Sequence, residues 1–307
     1  MSEGPQAPPK VHTPACGGTA EVPLAQRLIF AMGGGGFTME PSNPLLDDFV
    51  LSLAAPHTAH GTPREPRILF LPTASGDTTA QIEAFHARYG ERFCRPEHLS
   101  LFRLHELRRP LDEVVFEQDI VYVGGGSMRN LLAIWHAHGL DQLLIEAWRR
   151  GIVLAGISAG AMCWFQGGIT RSSGSPEPMA GLGVLSGSLT VHADGEPERL
   201  PVWLAAVREG KLPGGWAVDD GAGLLFAGEA LTRAVSSRPG AGAQRVDQVA
   251  GELVRHRVAP ELLGAEAGRP GSGGGLHTDD DDIRELRRVH RLRNTLTTRR
   301  GRRLGGG

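Results

Sequence analysis

One run of the sequence, residues 152–160, constrains the fold more than any other. It reads Ile-Val-Leu-Ala-Gly-Ile-Ser-Ala-Gly, an apolar stretch that ends in the pattern Gly-x-Ser-x-Gly. The apolar part predicts a buried strand, and the small residues predict a tight turn into a helix. Gly156 and Gly160 remove side chains where the strand and the helix must approach closely. The pattern therefore predicts a nucleophile elbow, a strained turn that holds the hydroxyl of Ser158 out of the sheet.

Short apolar runs alternate with helical patterns before and through this turn. Strands are predicted at residues 27–32, 67–72, 99–104, 119–123 and 152–157, and helices at 44–54, 79–89, 131–138, 140–150 and 197–210. This alternation predicts a parallel sheet with helices on both faces. Further on, the runs at 231–235 and 244–249 are predicted to form a last hairpin. The expected fold is α/β, a three-layer sandwich with a mostly parallel sheet.

Three of the predicted strands end in glycine loops, at residues 33–36, 124–126 and 156–160. Ligands of parallel α/β sheets bind at the carboxyl ends of the strands, which lie at one edge. The coincidence of three such loops therefore predicts a site at that edge. The middle loop is not predicted to bind a nucleotide, because it lacks both the Lys of a Walker motif and the spacing of a dinucleotide fingerprint.

Charge and composition exclude several classes of protein. The 307 residues include 32 Lys and Arg against 34 Asp and Glu, a net charge of −2 that indicates no bulk electrostatic partner. The three cysteines are widely spaced and match neither a disulfide framework nor a zinc pattern. No apolar stretch approaches 18 residues, and the N-terminus lacks the pattern of a secretory signal. We therefore expect a cytoplasmic protein without a transmembrane helix.

The composition changes at both ends of the chain, which predicts three segments. Residues 1–24 are rich in proline and are expected to be a disordered leader. Residues 25–260 are expected to form the catalytic domain. Residues 261–307 are expected to be a Gly-rich linker followed by an Arg-rich tail. The tail has two interpretations, a helix for nucleic acid or an acidic partner, and a solvated or docked extension; we favour the second and expect no nucleic-acid partner.

A serine hydroxyl needs a base to act as a nucleophile near neutral pH, and a carboxylate commonly orients that base. His192 is the best candidate for the base, because it follows an apolar, strand-like run and precedes an acidic loop. The carboxylate remains open from sequence. Asp220 is the first choice, and Asp219, Asp194 and Glu196 are the alternatives.

The oxyanion that develops in acyl transfer needs two N–H donors about 3 Å away. The residue after the nucleophile commonly supplies one donor, which here is Ala159. The second donor is expected from a neighbouring glycine loop, with Gly125 or Gly126 as candidates, because glycine lets a ligand approach the backbone closely.

Taken together, the motifs resemble the peptidase E family, relatives of cyanophycinase with a class I glutamine-amidotransferase-like fold. The matching stretches, in family order, are residues 32–40, 70–77, 122–126, 156–161, 192–199 and 217–222. The resemblance implies a serine peptidase without a metal or other cofactor. It assigns Ser158 as nucleophile, His192 as base, and Gly125 and Ala159 as oxyanion donors. A carboxylate near Asp220 matches the place where some members carry the orienting acid.

Two arginines bear on substrate choice and on activity. Aspartyl-specific members of the family use an arginine downstream of the histidine to hold the substrate carboxylate, and Arg199 is the nearest match. The chain departs from the family at residues 170–172, which read Thr-Arg-Ser where many relatives have Thr-Asp-Ser. If that aspartate orients the histidine in the relatives, its replacement by Arg171 removes the orienting carboxylate, and the positive charge of Arg171 disfavours the imidazolium form of His192.

The expected function is hydrolysis of dipeptides or short peptides, with N-terminal Asp as a candidate preference, through an acyl-enzyme on Ser158. Three alternatives remain. A general α/β-hydrolase esterase would need a later histidine, His256 or His277. A catalytically impaired relative would serve as a binding or regulatory module. An amidotransferase would need a cysteine at the elbow, and Cys163 lies more than one helical turn away. The expected partner is a small peptide, and the protein is expected to be a monomer or homodimer.

Overall fold

The computed structural model describes residues 21–54 and 62–265. The strands are β1 Leu28–Met32, β2 Arg67–Leu71, β3 Arg95–His98, β4 Ile120–Val123, β5 Val153–Ile157, β6 Phe165–Thr170, β7 Glu177–Ala180, β8 Leu185–Thr190, β9 Gly215–Val218, β10 Ala222–Ala227, β11 Ala230–Ser236, β12 Ala243–Val249, β13 Glu252–Val258 and β14 Glu261–Leu262. The α-helices are α1 Gly36–Met39, α2 Leu45–Ser52, α3 Thr79–Gly90, α4 Leu111–Phe116, α5 Met128–His138, α6 Leu140–Arg149, α7 Ala159–Met162 and α8 Arg199–Arg208.

The larger sheet has eight strands in the order β14-β11-β10-β1-β5-β4-β2-β3. The five neighbouring strands β1, β5, β4, β2 and β3 are all parallel to one another. By contrast, β10 pairs antiparallel with β1 and with β11. Parallel strands of this kind are buried on both faces, which explains why they read as continuous apolar runs. The predicted α/β class with a largely parallel sheet is confirmed.

Side chains that alternate along the strands build two cores, one on each face of this sheet. Phe30, Phe70 and Tyr122 lie in the core that α1, α2 and α3 cover. Their neighbours along the strands lie in the opposite core, which α4, α5, α6 and α7 cover together with part of a second sheet. The glycine loops after β1, β4 and β5 are thereby held at one edge of a rigid sheet.

The second sheet has six strands in the order β13-β12-β9-β8-β6-β7 and carries α8 on one face. It was not predicted as a separate sheet. The predicted hairpin of residues 231–235 and 244–249 is wrong, because β11 pairs with β10 in the larger sheet and β12 pairs with β9 and β13 in the smaller. Alternation along a strand reports that one face is buried, but not which sheet the strand joins.

The predicted strand at 99–104 is also wrong. The third strand is Arg95–His98, and the apolar residues that follow it form a 3-10 helix at Leu101–Glu106. β3 is the edge strand beside β2 and none of its residues is buried, so hydrophobicity carried no signal for it.

The ends of the described part pack against the domain. The Val22 N–H donates to the Arg149 carbonyl at 3.0 Å, and β14 pairs with β11. Residues 1–20 and 266–307, which hold most of the predicted leader and of the predicted linker and tail, lie outside the described residues. Within residues 21–54 and 62–265, no helix combines the length and apolarity needed to cross a membrane.

Candidate active site

Ser158 stands on the sharp turn between β5 and α7. Its φ of 55° and ψ of −115° are sparsely populated for a residue with a side chain. Backbone hydrogen bonds hold this geometry: the Ser158 N–H donates to the Met32 carbonyl, and the Ala161 and Met162 N–H groups donate to the Ser158 carbonyl. The flanking glycines are required by contact distances. A Cβ on Gly156 would lie 2.0 Å from the Gly160 carbonyl oxygen, and one on Gly160 would lie 2.4 Å from that of Val123. The predicted elbow geometry is thus present at Ser158.

His192 reaches Ser158 from the other sheet. It follows β8, and its Nε2 lies 2.9 Å from the Ser158 Oγ. The ring is buried except for a small fraction, and the residue has a φ of 52°. Only four non-glycine residues of the described chain have positive φ, and Ser158 and His192 are two of them. Backbone strain at two residues whose side chains are in hydrogen-bond contact is typical of a functional site.

Asp220 completes a line of three side chains. Its Oδ1 lies 2.5 Å from the His192 Nδ1. Asp220 sits in the turn between β9 and β10, where the chain passes from the smaller to the larger sheet. The loop after β1 leaves room for this contact, because a Cβ on Gly34 would lie 1.9 Å from Asp220 Oδ1 and 2.9 Å from His192 Nδ1. The arrangement is therefore Ser–His–Asp, with the histidine bridging the other two.

The other candidate acids have different partners. The Asp219 carboxylate accepts a hydrogen bond from the Gly242 N–H at 2.9 Å. Asp194 accepts one from the Asp220 N–H at 2.8 Å. Glu196 faces arginines. None of these three carboxylates is bonded to the His192 ring, so the structure places Asp220 alone of the four candidates in that position.

The predicted oxyanion donors lie beside the nucleophile. A Cβ on Gly125 would be 3.3 Å from the Ser158 Cβ and 3.8 Å from its Oγ, so this loop passes directly over the serine. Ala159 is the first residue of α7, where backbone N–H groups are unpaired within the helix. Neither N–H has a backbone acceptor among the described residues. Both are thus free to donate to a developing charge.

Arg199 does not present a free guanidinium. Its side chain is 7% exposed, and its Nε lies 2.8 Å from Glu196 Oε2 while its Nη1 donates to the Ile169 carbonyl at 2.6 Å. Arg171 shares the same carboxylate, with Nη1 at 3.1 Å from Glu196 Oε2. Burial alone would raise the pKa of Glu196, but the hydrogen bonds from Arg199 and Arg171 and the charge of Arg199 outweigh it and lower the pKa. Arg171 is thus balanced by Glu196 and forms no bond to His192.

Among the described residues, those that the alternative chemistries would need take no part in the contact of Ser158, His192 and Asp220. His256 is exposed on β13, and His277 lies outside the described residues. Cys163 is fully buried and donates to the Gly160 carbonyl, and burial raises the pKa of its thiol well above the ordinary value. In the described ranges, no three His, Cys, Asp or Glu side chains converge as metal ligands would.

Two residues that shape the site were not predicted as site residues. Gly34 was expected only as part of a glycine loop, whereas its missing side chain makes room for the His192–Asp220 contact. Arg238 was not singled out at all, although its Nε donates to the Asp220 carbonyl at 2.9 Å. A glycine loop gives a signal in sequence, but an isolated arginine 18 residues away from its partner does not.

Comparison with known proteins shows the family to which this chain belongs. The profile described as peptidase family S51 matches residues 29–234. The chain is 44% identical over 236 residues to the "Uncharacterized peptidase YgaJ" of Bacillus subtilis (strain 168), covering 77% of this chain and 99% of that protein. The crystal structure of a peptidase from an acI-B1 Actinobacterium superposes with a TM-score of 0.58 at 20% identity, covering 75% of this chain and 93% of the other, which shows a shared fold. The predicted resemblance is confirmed: the chain belongs to peptidase family S51, the family of peptidase E and cyanophycinase.

Proposed function

We propose that this protein is a serine peptidase that hydrolyses dipeptides or short peptides through an acyl-enzyme on Ser158. The observation that carries the proposal is the continuous contact from Ser158 Oγ to His192 Nε2 and from His192 Nδ1 to Asp220. It is made by three residues from two sheets, on strained backbone at two positions. A purely structural hydrogen bond would not require that strain.

The proposed reaction begins when Ser158 Oγ attacks the scissile carbonyl carbon. His192 Nε2 takes the hydroxyl proton, and Asp220 stabilises the imidazolium through Nδ1–H. The carbonyl oxygen becomes an oxyanion that accepts hydrogen bonds from the Gly125 and Ala159 N–H groups. His192 then passes its proton to the leaving amine, and the C–N bond breaks. Water, deprotonated by His192, hydrolyses the ester and restores Ser158.

A preference for N-terminal Asp is the narrower form of the proposal. It rests on the resemblance at Arg199 and requires that guanidinium to exchange Glu196 for a substrate carboxylate. Such an exchange conserves the number of charge-assisted bonds, so it is energetically reasonable, but it demands that Glu196 move. Acidic and neutral N-terminal residues are therefore compared directly in the test below.

The alternatives have less support. The esterase alternative needs His256 or His277 as base, whereas His192 occupies that position. The catalytically impaired alternative rests on Arg171 as a replacement for the orienting acid. Arg171 is paired with Glu196, and the Asp220 carboxylate contacts the histidine in its place, so this alternative has less support. The amidotransferase alternative lacks a thiol at the elbow.

The test is hydrolysis of a dipeptide panel with Asp and non-Asp N-termini, followed by mass spectrometry. Wild type is expected to release free amino acids, and Ser158→Ala is expected to release none above background. If both proteins are folded and neither cleaves any member of the panel, the proposal fails and the impaired alternative is favoured. Cleavage by Ser158→Ala at the wild-type rate would remove the serine from the mechanism.

A further inference from the structure

We propose that Asp194 and Arg238 are positioning residues that together clamp the peptide backbone of Asp220 and so hold its carboxylate on His192. The inference rests on the proposed function, because it concerns how the Ser158, His192 and Asp220 line is kept in register. Neither residue touches the reacting atoms.

The two residues form hydrogen bonds to the backbone N–H and to the backbone carbonyl of Asp220. The Asp220 N–H donates to Asp194 Oδ1 at 2.8 Å, and the Asp220 carbonyl accepts from Arg238 Nε at 2.9 Å. Arg238 Nη2 and Asp194 Oδ2 close the ring with an ion pair of 2.5 Å. With its N–H and its carbonyl both held by charge-assisted bonds, the Asp220 backbone has little freedom to shift, which keeps the carboxylate within reach of the histidine.

The three residues come from three segments that no regular strand pairing joins at this point. Asp194 lies two residues after His192, so the loop that carries the base also holds the acid. Asp220 lies in the turn where the chain leaves β9 of the six-stranded sheet. Arg238 follows β11 of the eight-stranded sheet, and the neighbouring Ser237 N–H donates to the Gly221 carbonyl at 2.8 Å. The clamp therefore ties the two sheets together at the His192–Asp220 contact.

Charge and shape at the turn fit this role. Asp194, Asp219 and Asp220 place three carboxylates on two short loops, and like charges at close range repel one another. The Arg238 guanidinium, which pairs with the Asp194 carboxylate, offsets part of that repulsion. Gly221 has a φ of +75°, and a Cβ there would lie 3.0 Å from the Arg238 side chain, so the glycine makes room for the arginine to cross the turn.

The test compares Arg238→Gln, Asp194→Ala and Asp194→Asn with wild type. Arg233→Gln is the matched control, because Arg233 forms an ion pair of 2.7 Å with Glu261 at similar exposure on the same sheet, away from the site. Three properties are measured: kcat and KM on a cleaved dipeptide, the rate at which a fluorophosphonate modifies Ser158, and the downfield proton resonance of the His192 Nδ1–H.

Arg238→Gln and Asp194→Ala are expected to lower kcat and the modification rate about tenfold while KM stays within about twofold, since the loss falls on the base and not on binding. The downfield resonance is expected to broaden or shift in both. Asp194→Asn is expected to keep more activity than Asp194→Ala, because its amide oxygen still accepts the Asp220 N–H although the ion pair with Arg238 is lost. This graded rescue distinguishes positioning from general stability.

The proposal is overturned if these variants match Arg233→Gln in kcat, modification rate and His192 resonance. If Arg238→Gln does not fold, Asp194→Asn is compared with Asp194→Ala. Equal kcat and equal modification rate in these two variants would then overturn the proposal. If wild type cleaves no peptide, the proposed function fails by itself, and the modification rate and the His192 resonance still test the clamp.

Discussion

The Nδ1 of His192 lies 2.5 Å from the Oδ1 of Asp220, although the two residues are 28 positions apart in the chain. Arg171 follows β6 directly, at the position where the resemblance to the peptidase E family implies an aspartate. In this chain the carboxylate on the histidine comes instead from the β9–β10 turn. The contact therefore identifies Asp220, and not a residue near Arg171, as the acid to test.

Asp220→Asn is expected to lower kcat by about 10³–10⁴-fold, because an amide neither stabilises the imidazolium nor fixes the required tautomer. Its neighbour provides the control. Asp219→Asn removes an equal charge one residue away, and it is expected to change kcat by less than about threefold because its carboxylate contacts the Gly242 N–H instead. Steady-state kinetics on a cleaved dipeptide measures both. Equal losses in the two variants would contradict the assignment.

Gly34→Ala is expected to reduce kcat by at least about 100-fold, because the added methyl occupies space that the Asp220 carboxylate needs. The φ of Gly34 is not positive, so the effect is steric. Gly90→Ala serves as control, since a Cβ there meets nothing within 4 Å. Circular dichroism checks that both variants fold. Full activity in folded Gly34→Ala would show that the His192–Asp220 contact is not required.

Glu196→Gln is expected to lower the free energy of unfolding by about 2 kcal/mol, because it leaves the buried Arg199 without its charged partner. Glu198→Gln is the matched control. Glu198 is 69% exposed and lies 4.0 Å from Arg171, so its removal is expected to cost less than about 0.5 kcal/mol. Urea denaturation measures the difference. A Glu198 effect as large as that of Glu196 would contradict the described network.

Asp47 predicts a pH dependence of stability. It is fully buried beneath the loop after β1, and burial raises its pKa to about 7 despite the ion pair with Arg88. Between its ordinary value of 3.8 and about 7, the unfolded chain has lost this proton and the folded chain retains it. The unfolded state binds fewer protons in that window, so stability falls as pH rises.

Relative to Asp47→Asn, which does not titrate, wild type is therefore expected to lose about 3 kcal/mol between pH 5 and pH 8. Urea unfolding of both proteins across this range measures the difference, and groups that the two proteins share cancel in it. A difference that is flat, or that favours wild type as pH rises, would contradict the raised pKa.

The fold class and the elbow could be predicted because both depend on local patterns. Continuous apolar runs report strands buried on both faces, and the Gly-x-Ser-x-Gly spacing reports the close approach of strand and helix. The six-stranded sheet could not be predicted, because β7, β12 and β13 are partly exposed and β6 and β8 are rich in small residues. Strand partners separated by long stretches of chain leave no periodic signal.

The site was only partly readable for a related reason. His192 could be inferred from an apolar run that ends at an acidic loop, but its positive φ left no mark in the sequence. The acid remained open among four carboxylates, because the choice depends on where two sheets meet. Arg199 was expected to be available to substrate, whereas the structure buries it against Glu196. The Glu196–Arg199 pair is local, but the contact of Arg199 with the Ile169 carbonyl joins two distant segments, and residue spacing does not encode such a contact.

The most direct test of the account is the reaction of the full-length protein with a fluorophosphonate, with the adduct located by peptide mapping and mass spectrometry. We expect a single adduct on Ser158, formed much faster in wild type than in His192→Ala and absent from Ser158→Ala. Such a result would show that His192 activates Ser158. A folded wild-type protein that forms no adduct, or forms one on another residue, would contradict the account.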